Sequence, residues 1–331
     1  MRWLARRSIF YIVTAWAAVT LNFLIPRLMP GNPVQAVIGR FDAQGTPLSP
    51  SATKALTIAF GLSGHQSLWS QYGAYWNDLF HGNLGVSFTY YPTPVSSIVA
   101  QALPWTVVLV GMATIISWTL GTFVGVVAGW RRGGRWDAVI PVGTFFRGIP
   151  QFWIGLLAVT VLGVALGVLP VSGGYASGLS PSFTGTFAVS ALQHSVLPAL
   201  TIIGGSFAGH LLTMRNMMVT SLSEDYVTIA EAKGLPPRRV MLRYAARNAL
   251  IPSVVGFALE LGFAVSGALV VEKVFSYPGV GYVLFQAIGG EDYPLIQAIF
   301  LVITLSVLVA NIAADVVFVL VDPRAREGAG Q

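Results

Sequence analysis

Six long apolar stretches constrain this sequence more than any other feature. A helix needs about 20 mostly apolar residues to cross the hydrocarbon layer of a bilayer. Only 10% of the residues are charged, whereas a soluble domain usually carries about 25%, so the chain is too apolar for one soluble core. We therefore predict an all-α membrane protein with six transmembrane helices, at roughly 9–28, 105–130, 138–169, 196–212, 252–271 and 295–321.

Two of these stretches carry local signals. Pro141 and Pro150 lie in the third stretch and predict a kink or an interfacial turn there. The segment "MRWLARR" precedes the first stretch and resembles the basic start of a signal peptide, but no small-residue cleavage site follows it. The first stretch is therefore predicted to be a retained span.

The distribution of Lys and Arg residues predicts the orientation of the chain. With the N-terminus inside, thirteen of the nineteen Lys and Arg residues lie in inner segments and four in outer segments. Cytoplasmic loops are enriched in positive charge, so both termini are predicted to lie in the cytoplasm. The net charge of +6 fits this topology, and nucleic acid is not predicted as a partner.

The predicted spans divide the chain into four parts. Residues 1–28 form the N-terminal cytoplasmic end and the first span, and 29–100 form an extracytoplasmic insert. Residues 101–321 form a core with helices 2–6 and a cytoplasmic loop at 221–252, and 322–331 form a cytoplasmic tail.

The insert contains one amphipathic segment, "LWSQYGAYWNDLF". Its spacing places Leu68, Tyr72, Tyr75, Trp76 and Leu79 on one helical face. This pattern is typical of a helix that lies on a membrane surface or against a partner. Packing against the protein's own spans explains it equally well.

Sequence motifs for chemistry are missing from this chain. It has no cysteine, its four His residues show no metal-ligand spacing, and no metal site is predicted. No phosphate-binding G-x-x-x-x-G-K-[ST] motif occurs, nor H-E-x-x-H or G-x-S-x-G, so the chain is not predicted to be an enzyme or to hydrolyse ATP. The small-residue runs "GTFVGVVAG" (121–129) and "AVSGALV" (264–270) instead predict close helix packing.

Ionisable residues within spans are costly and often functional. The candidates are Arg147, His210, Glu260 and Asp315. Of these, Arg147, Glu260 and Asp315 are the candidate pore or intramembrane polar residues, and Glu260 is the first to test as a pore-lining group. A structural ion pair or a contact between subunits is the alternative for each.

The loop at 221–252 carries several helix signals. "SLSE" predicts a capping box, with Ser221 as N-cap and Glu224 three residues later. A short helix is predicted to follow and to end at Gly234, since two prolines come next. Pro237 then predicts the start of a second helix, over 238–250. The loop is thus predicted to be a helix–break–helix unit; anchoring to anionic lipid by its basic residues is the alternative role.

A family resemblance rests on this loop and on motifs along nearly the whole chain. "DYVTIAEAKGLPPRRVMLRYAARNALIP" (225–252) resembles the EAA loop of binding-protein-dependent ABC importer permeases of the dipeptide/oligopeptide/nickel group. Asn32, Asn83, Arg147, Gly148 and Glu231 depart from the usual pattern of that group. The other matching motifs are "GNPV" (31–34), "GNLGVSF" (82–88), "LPWTVVLV" (103–110), "IPQFWIGLL" (149–157), "LPALT" (197–201), "VEKVFSYPGVGYVLFQAI" (271–288), "DYPLIQAI" (292–299) and "VDPRAR" (321–326).

The resemblance implies a type I ABC importer permease fold in the inner membrane of a prokaryote. It implies a homologous second permease subunit, two cytoplasmic ATPase subunits that bind ATP and Mg, and an extracytoplasmic substrate-binding protein. No cofactor is expected in this chain itself. The short helix would be a coupling helix seated in an ATPase groove, and the implied ATPase-coupling residues are Tyr226, Ala230, Glu231, Ala232, Lys233, Gly234 and Leu235.

The implied function is transport of short peptides through half of a translocation path that this chain supplies. An importer of the same type for nickel chelates or other small solutes is one alternative. A proton-coupled secondary transporter is an alternative of a different class, which the small number of buried acids and the cytoplasmic helix–break–helix unit disfavour.

Overall fold

Helices form the repeating secondary structure of the described part of the chain, which also contains one isolated β-bridge, between Val86 and Pro94. The computed structural model describes residues 2–28, 38–39, 42, 49–50, 53, 67–133 and 135–321. Within these ranges, only the backbone is described at 2–8, 25–28, 135, 137, 139, 262–267 and 317–321. Most of the predicted insert between 29 and 66, and the predicted tail at 322–331, lie outside the described residues.

The described helices are numbered in chain order. They are α1 (Arg2–Leu28), α2 (Leu68–Phe80), α3 (Val95–Trp130), α4 (Val139–Arg147), α5 (Gln151–Ala158), α6 (Gly185–Leu222), α7 (Asp225–Ala232), α8 (Pro237–Arg239), α9 (Arg247–Gly267), α10 (Leu269–Val274), α11 (Val280–Gly289) and α12 (Tyr293–Val321). A 3₁₀ turn (Arg135–Ala138) precedes α4, and π-helical turns (Val159–Ala165 and Val240–Ala246) follow α5 and α8.

Three helices among the described residues are long and apolar enough to cross a membrane: Val95–Trp130, Gly185–Leu222 and part of α12, Tyr293–Val316. If the bent pair Ile140–Arg147 and Gln151–Ala165 is counted as one span, the described residues contain up to four candidate spans. The predicted first span falls in α1, whose apolar part Ile9–Leu24 is shorter. The prediction of six spans therefore stays a prediction. The second and fourth spans are longer than predicted, since α3 and α6 have 36 and 38 residues and rise about 54 and 57 Å.

The third predicted span bends sharply. The two halves meet at 93°, at the segment that links Arg147 to Gln151. Pro150 causes the break, because a proline disfavours helical backbone in the residue before it and Pro150 itself is extended. The predicted kink at Pro150 is thus confirmed. Pro141 makes none, since it lies in the first turn of α4, where its missing N–H has no helical partner to lose.

Three glycines let α3 and α6 pack closely. A Cβ atom on Gly121, Gly125 or Gly129 would lie 2.5–2.8 Å from atoms of α6, closer than packed side chains approach. The spacing of four residues places all three on one face of α3. The predicted packing role of "GTFVGVVAG" is confirmed. In the other small-residue run, Ala268 is buried, and only the backbone is described at 262–267.

The described contacts separate the chain into two units. One unit includes α2, most of α1 and α11, and the first part of α12. Its helix α2 packs on α1 through Tyr72 and Tyr75, whose rings lie 5.1 and 5.5 Å from the ring of Phe23. Tyr72 also forms a 2.7 Å hydrogen bond with Thr20. These contacts favour packing against the protein's own span for this face of α2, whereas Leu68 at its start is exposed.

The other unit, centred on residues 105–281, contains two buried apolar clusters. The first joins α3 and α6 to α10 and the following turn through Leu109, Leu197, Phe275 and Tyr277. The second joins the C-terminal end of α6 to α7 and the start of α9. Its members include Met214, Met218, Val227, Ala230 and Ala246.

Candidate functional site

The short helix α7 is defined by a sharp C-terminal stop. Gly234 has φ +72°, the left-handed conformation that glycine adopts without strain. Its N–H donates to Glu231 O at 2.8 Å, and Leu235 N–H donates to Ala230 O at 3.3 Å. These two bonds form a Schellman motif, which satisfies the last carbonyl groups of the helix. The predicted C-terminal cap at Gly234 is confirmed.

The predicted capping box at Ser221 and Glu224 is wrong. Helix α6 continues to Leu222, so Ser221 lies inside it, and Glu224 is the N-cap of α7 without a side-chain capping bond. The Ser221 hydroxyl is used elsewhere, because it donates to Ala245 O at 3.0 Å and bonds Tyr226 Oη at 2.7 Å. Tertiary partners in the π-helical turn and in α7 therefore replace the local cap.

One face of α7 is buried in the chain's own core and the other is exposed. Val227 and Ala230 are 1% and 2% exposed and pack against Met214 and Met218 of α6. Ile229 is 54% exposed, which leaves an apolar side chain uncovered on the opposite face. Of the predicted coupling residues, four are exposed, two are half-buried and Ala230 is buried. The exposed ones are Glu231, Ala232, Lys233 and Gly234, and the half-buried ones are Tyr226 and Leu235.

The second predicted helix of the loop starts at Pro237, as predicted, but does not end at 250. Helical backbone runs from α8 through the π-helical turn into α9, which reaches Gly267. Pro252 lies inside α9 and not at its start. The loop is thus a helix–break–helix unit whose second helix continues into the predicted fifth span. Arg239, Arg243 and Arg247 are exposed along it.

A polar cavity of about 420 Å³ lies between α6, α9 and the bend of the α4–α5 pair. Arg147 ends α4 and Gln151 begins α5, so the bend places both side chains on one wall. Gly205 permits this approach, since a Cβ there would lie 2.3 Å from Cγ of Gln151. The lining residues are Arg147, Gln151, Gly205, Ser206, Gly209, His210, Thr213, Pro252, Ser253, Gly256, Phe257 and Glu260.

The cavity brings together three of the four predicted ionisable residues. His210 Nε2 lies 3.2 Å from Glu260 Oε2, an ion-pair distance, although the angles do not form an aligned hydrogen bond. The His210 side chain is 12% exposed and that of Glu260 is 39% exposed. Arg147 lines the same cavity and is exposed. No carboxylate among the described residues pairs with it.

Helix α3 holds two of the cavity's hydroxyl groups. Ser117 Oγ bonds Ser206 Oγ at 2.9 Å, and Trp118 Nε1 donates to Ser253 Oγ at 3.1 Å. A Cβ atom on Gly209 or Gly256 would meet no atom within 4 Å, so these glycines face open space. The polar groups left to face a solute are therefore mainly Arg147, Gln151, Thr213 and the His210–Glu260 pair.

Asp315 does not line this cavity, although it was predicted together with Arg147 and Glu260. It lies in α12 and is half-buried. The described residues contain no group of three or more His, Asp or Glu side chains that could hold a metal ion.

Two buried carboxylates were missed by the sequence reasoning. Glu272 is 0% exposed, and its Oε2 accepts a 2.6 Å bond from Gly281 N at the start of α11. Asp292 is also fully buried and accepts from Thr89 N at 2.8 Å, from Ser87 Oγ and from Leu295 N at 3.2 Å. Each carboxylate thus satisfies N–H groups at a helix start. The sequence did offer one signal for their role, because each of these acidic residues lies next to a turn that contains glycine or proline.

The turn after α10 is further held by Tyr277. Its hydroxyl bonds Ser195 Oγ at 3.1 Å, and burial raises the pKa of the phenol. The group therefore stays protonated at neutral pH and keeps this bond.

The short helix and the cavity share the same supports. Met214 and Met218 of α6 hold α7, and the cavity is lined from Gly205 to Thr213 of the same helix. On the other side, the cluster that holds α7 includes Ala246, at the end of the π-helical turn, and Ala249 near the start of α9. Helix α9 also carries Ser253 to Glu260 into the cavity. Met218 lies eight positions after His210, a rise of about 12 Å along α6. A displacement of α7 would therefore act directly on two cavity walls.

Long apolar helices with a polar cavity between them define a multi-pass membrane protein. The chain belongs to the family of binding-protein-dependent transport system inner membrane components, whose model matches residues 121–327. It is therefore a permease subunit of an ABC importer.

Similarity to known permeases extends over almost the whole chain. A dipeptide transport system permease from Lactococcus lactis subsp. cremoris (strain MG1363) is 30% identical over 327 residues, which cover 98% of this chain and 99% of that protein. A di/tripeptide permease from Pseudomonas aeruginosa (strain UCBPP-PA14) is 33% identical over 341 residues, with the same coverage. A glutathione permease from Escherichia coli (strain K12) is 30% identical over 330 residues, again covering 98% and 99%.

Proposed function

We propose that this chain forms half of the translocation path of an ATP-driven importer of short peptides. Relatives named for dipeptide, di/tripeptide and glutathione transport align with nearly its full length. These substrates share a size of two or three residues and free charged groups. The observation that carries the proposal is that α6 and α9 both pack against α7 and both line the cavity.

The partners follow from this assignment. The chain pairs with a homologous second permease subunit, two cytoplasmic ATPase subunits and an extracytoplasmic binding protein. ATP and Mg are bound by the ATPase subunits, and this chain is not itself catalytic. Six spans cross the cytoplasmic membrane of a prokaryote, with both termini inside and the insert between the first two spans outside.

Helix α7 is the coupling helix in this proposal. Its exposed residues Ile229, Glu231, Ala232 and Lys233 are available to a groove of an ATPase subunit. Its buried face fixes it to α6 and α9. Coupling between distant sites needs an element that both sites can bias, and a clamped helix transmits rigid-body motion better than loose chain. Closure of the ATPase dimer then moves two walls of the cavity.

Co-purification with the native neighbouring subunits tests the proposal most simply. ATPase subunits in the purified complex and ATP-dependent uptake of short peptides into proteoliposomes are expected. Uptake by this chain alone, driven by a proton gradient and indifferent to ATP, would contradict it.

A substitution in the stop of α7 tests its coupling role. Gly234→Asp should abolish uptake while the chain still inserts in the membrane, because it strains a φ of +72° and places a charge beside the exposed face. Uptake and membrane insertion are measured in parallel. Gly133→Asp is the matched control, since Gly133 has φ +77° and also faces open space. Normal uptake by Gly234→Asp, or equal loss in both variants, would refute the coupling assignment.

A further inference from the structure

We infer that the cavity contains a subsite for the two charged ends of an unblocked short peptide, in which Glu260 binds the ammonium group and Arg147 binds the carboxylate. The inference rests on the proposed function and deepens it, because it assigns recognition of peptide ends to the permease itself.

The charges of the cavity carry this inference. Its described lining holds one carboxylate, one guanidinium and one imidazole, and otherwise neutral groups. Arg147 lines a polar space without a carboxylate partner among the described residues. An unpaired charge within a spanning region is costly and marks a pathway or ligand contact. A peptide carboxylate offers the bidentate partner that a guanidinium binds best.

Glu260 is placed to receive a cation. Its side chain is 39% exposed, whereas that of its partner His210 is 12% exposed, so the carboxylate is the accessible member of the pair. The 3.2 Å contact uses Oε2. The contact to His210 is not an aligned hydrogen bond, so an ammonium group with three N–H donors can compete for the carboxylate.

The size and shape of the cavity fit this class of ligand. A volume of about 420 Å³ lies within the range of about 300–1,000 Å³ typical of small-molecule sites. Gly209 and Gly256 leave open space on two walls, which admits side chains of differing size. The charged residues therefore bind the charged ends that all short peptides share. The open space beside the two glycines accommodates side chains that differ between peptides.

Weak binding is what a translocation site requires. A solute must bind well enough to enter and weakly enough to leave. Competition from His210 for Glu260 keeps the ammonium contact weak. Movement of α6 relative to α9 would change the distance between His210 and Glu260, because the two residues lie on these different helices.

Neutral variants in the complete complex test the subsite. The assay is dipeptide uptake by proteoliposomes that contain the full importer. The dipeptide-loaded binding protein is supplied at a saturating concentration. Glu260→Gln and Arg147→Gln should each lower uptake about tenfold, the effect of losing one charge-assisted contact, while stimulated ATPase activity stays within about twofold. Glu260→Asp and Arg147→Lys should keep most of the uptake, since they keep the charges.

Asp315→Asn is the matched control, because it removes a carboxylate from another spanning helix that does not line the cavity. Its uptake should be unchanged. Wild-type uptake by both neutral variants, an equal loss in Asp315→Asn, or a parallel loss of ATPase activity would overturn the subsite. Absence of any ATP-dependent peptide uptake by the wild-type complex would instead overturn the proposed function.

A binding measurement on the wild-type complex does not depend on how variants fold. A labelled dipeptide is bound without the binding protein and displaced by unlabelled dipeptide, by its N-acetylated form or by its C-terminal amide. Each blocked form should compete about tenfold less well, because it lacks one charged end. Equal competition by all three would overturn the inference.

Discussion

At the residue scale, Val227 and Ile229 differ sharply in burial on one helix, and the proposed function assigns the first to folding and the second to partner binding. They are two positions apart in α7, yet Val227 is 1% exposed within the core and Ile229 is 54% exposed. An exposed apolar residue on a short helix held against two long ones is a suitable anchor for a partner groove. Asp225 and Lys233, four positions before and after Ile229, give the same face both signs of charge.

Paired substitutions measure this separation. Ile229→Asp should reduce co-purified ATPase subunits roughly tenfold, because a buried apolar anchor is lost at the interface. The chain's own stability should change by no more than about 0.5 kcal/mol, as at other exposed sites. Val227→Ala should instead lower stability by roughly 2 kcal/mol, through loss of buried apolar surface.

The measurements are ATPase recovery after affinity purification and thermal unfolding of the detergent-solubilised chain. Full ATPase recovery with Ile229→Asp would show that this face is not the contact. A large fall of the unfolding midpoint in that variant would place Ile229 in the chain's own core.

At the scale of single elements, glycine positions were the most predictable features. The four-residue spacing of Gly121, Gly125 and Gly129 alone predicts a packing face, and Gly234 before two prolines predicts a helix stop. Both follow from local geometry. The capping box failed because the Ser221 hydroxyl has partners at Tyr226 and Ala245, the latter 24 residues away. Sequence spacing does not contain that information.

Buried polar residues were harder to predict for the same reason. Three of the ionisable residues singled out in the predicted spans line one cavity, and their meeting there depends on the 93° bend after Arg147. Glu272 and Asp292 lie beside turns in the sequence, where charged residues are commonly solvated. Their burial depends on backbone N–H groups that converge only in the folded chain.

Filling the cavity tests whether its walls form the path. Gly256→Leu should lower peptide uptake at least tenfold without unfolding the chain, because its side chain would occupy open space next to Ser253 and Glu260. Gly111→Leu is the control, since Gly111 also faces open space but lies in α3 away from the cavity. Uptake and the unfolding midpoint are measured for both. Equal uptake by the two variants would exclude this cavity as the route.

At the scale of the whole molecule, the proposed function links a partner contact at α7 to the cavity. In that proposal, ATPase closure acts on α7, and α6 and α9 transmit the motion to the cavity that binds the solute. The family assignment rests on residues 121–327, which contain α7 and all the cavity-lining residues. The insert and the first span lie outside this match, and full-length relatives align with them.

Site-specific cross-linking from α7 tests whether this helix contacts an ATPase subunit. The chain has no cysteine, so a photoreactive thiol probe on Ile229→Cys reports from one place only. Phe183→Cys, fully exposed in the segment before α6 that is predicted to lie outside, is the control. We predict that position 229 cross-links to an ATPase subunit, that position 183 does not, and that an impermeant thiol reagent labels only 183 in intact cells. Labelling of 229 from outside, or adducts of 229 with lipid alone in the assembled complex, would contradict the account.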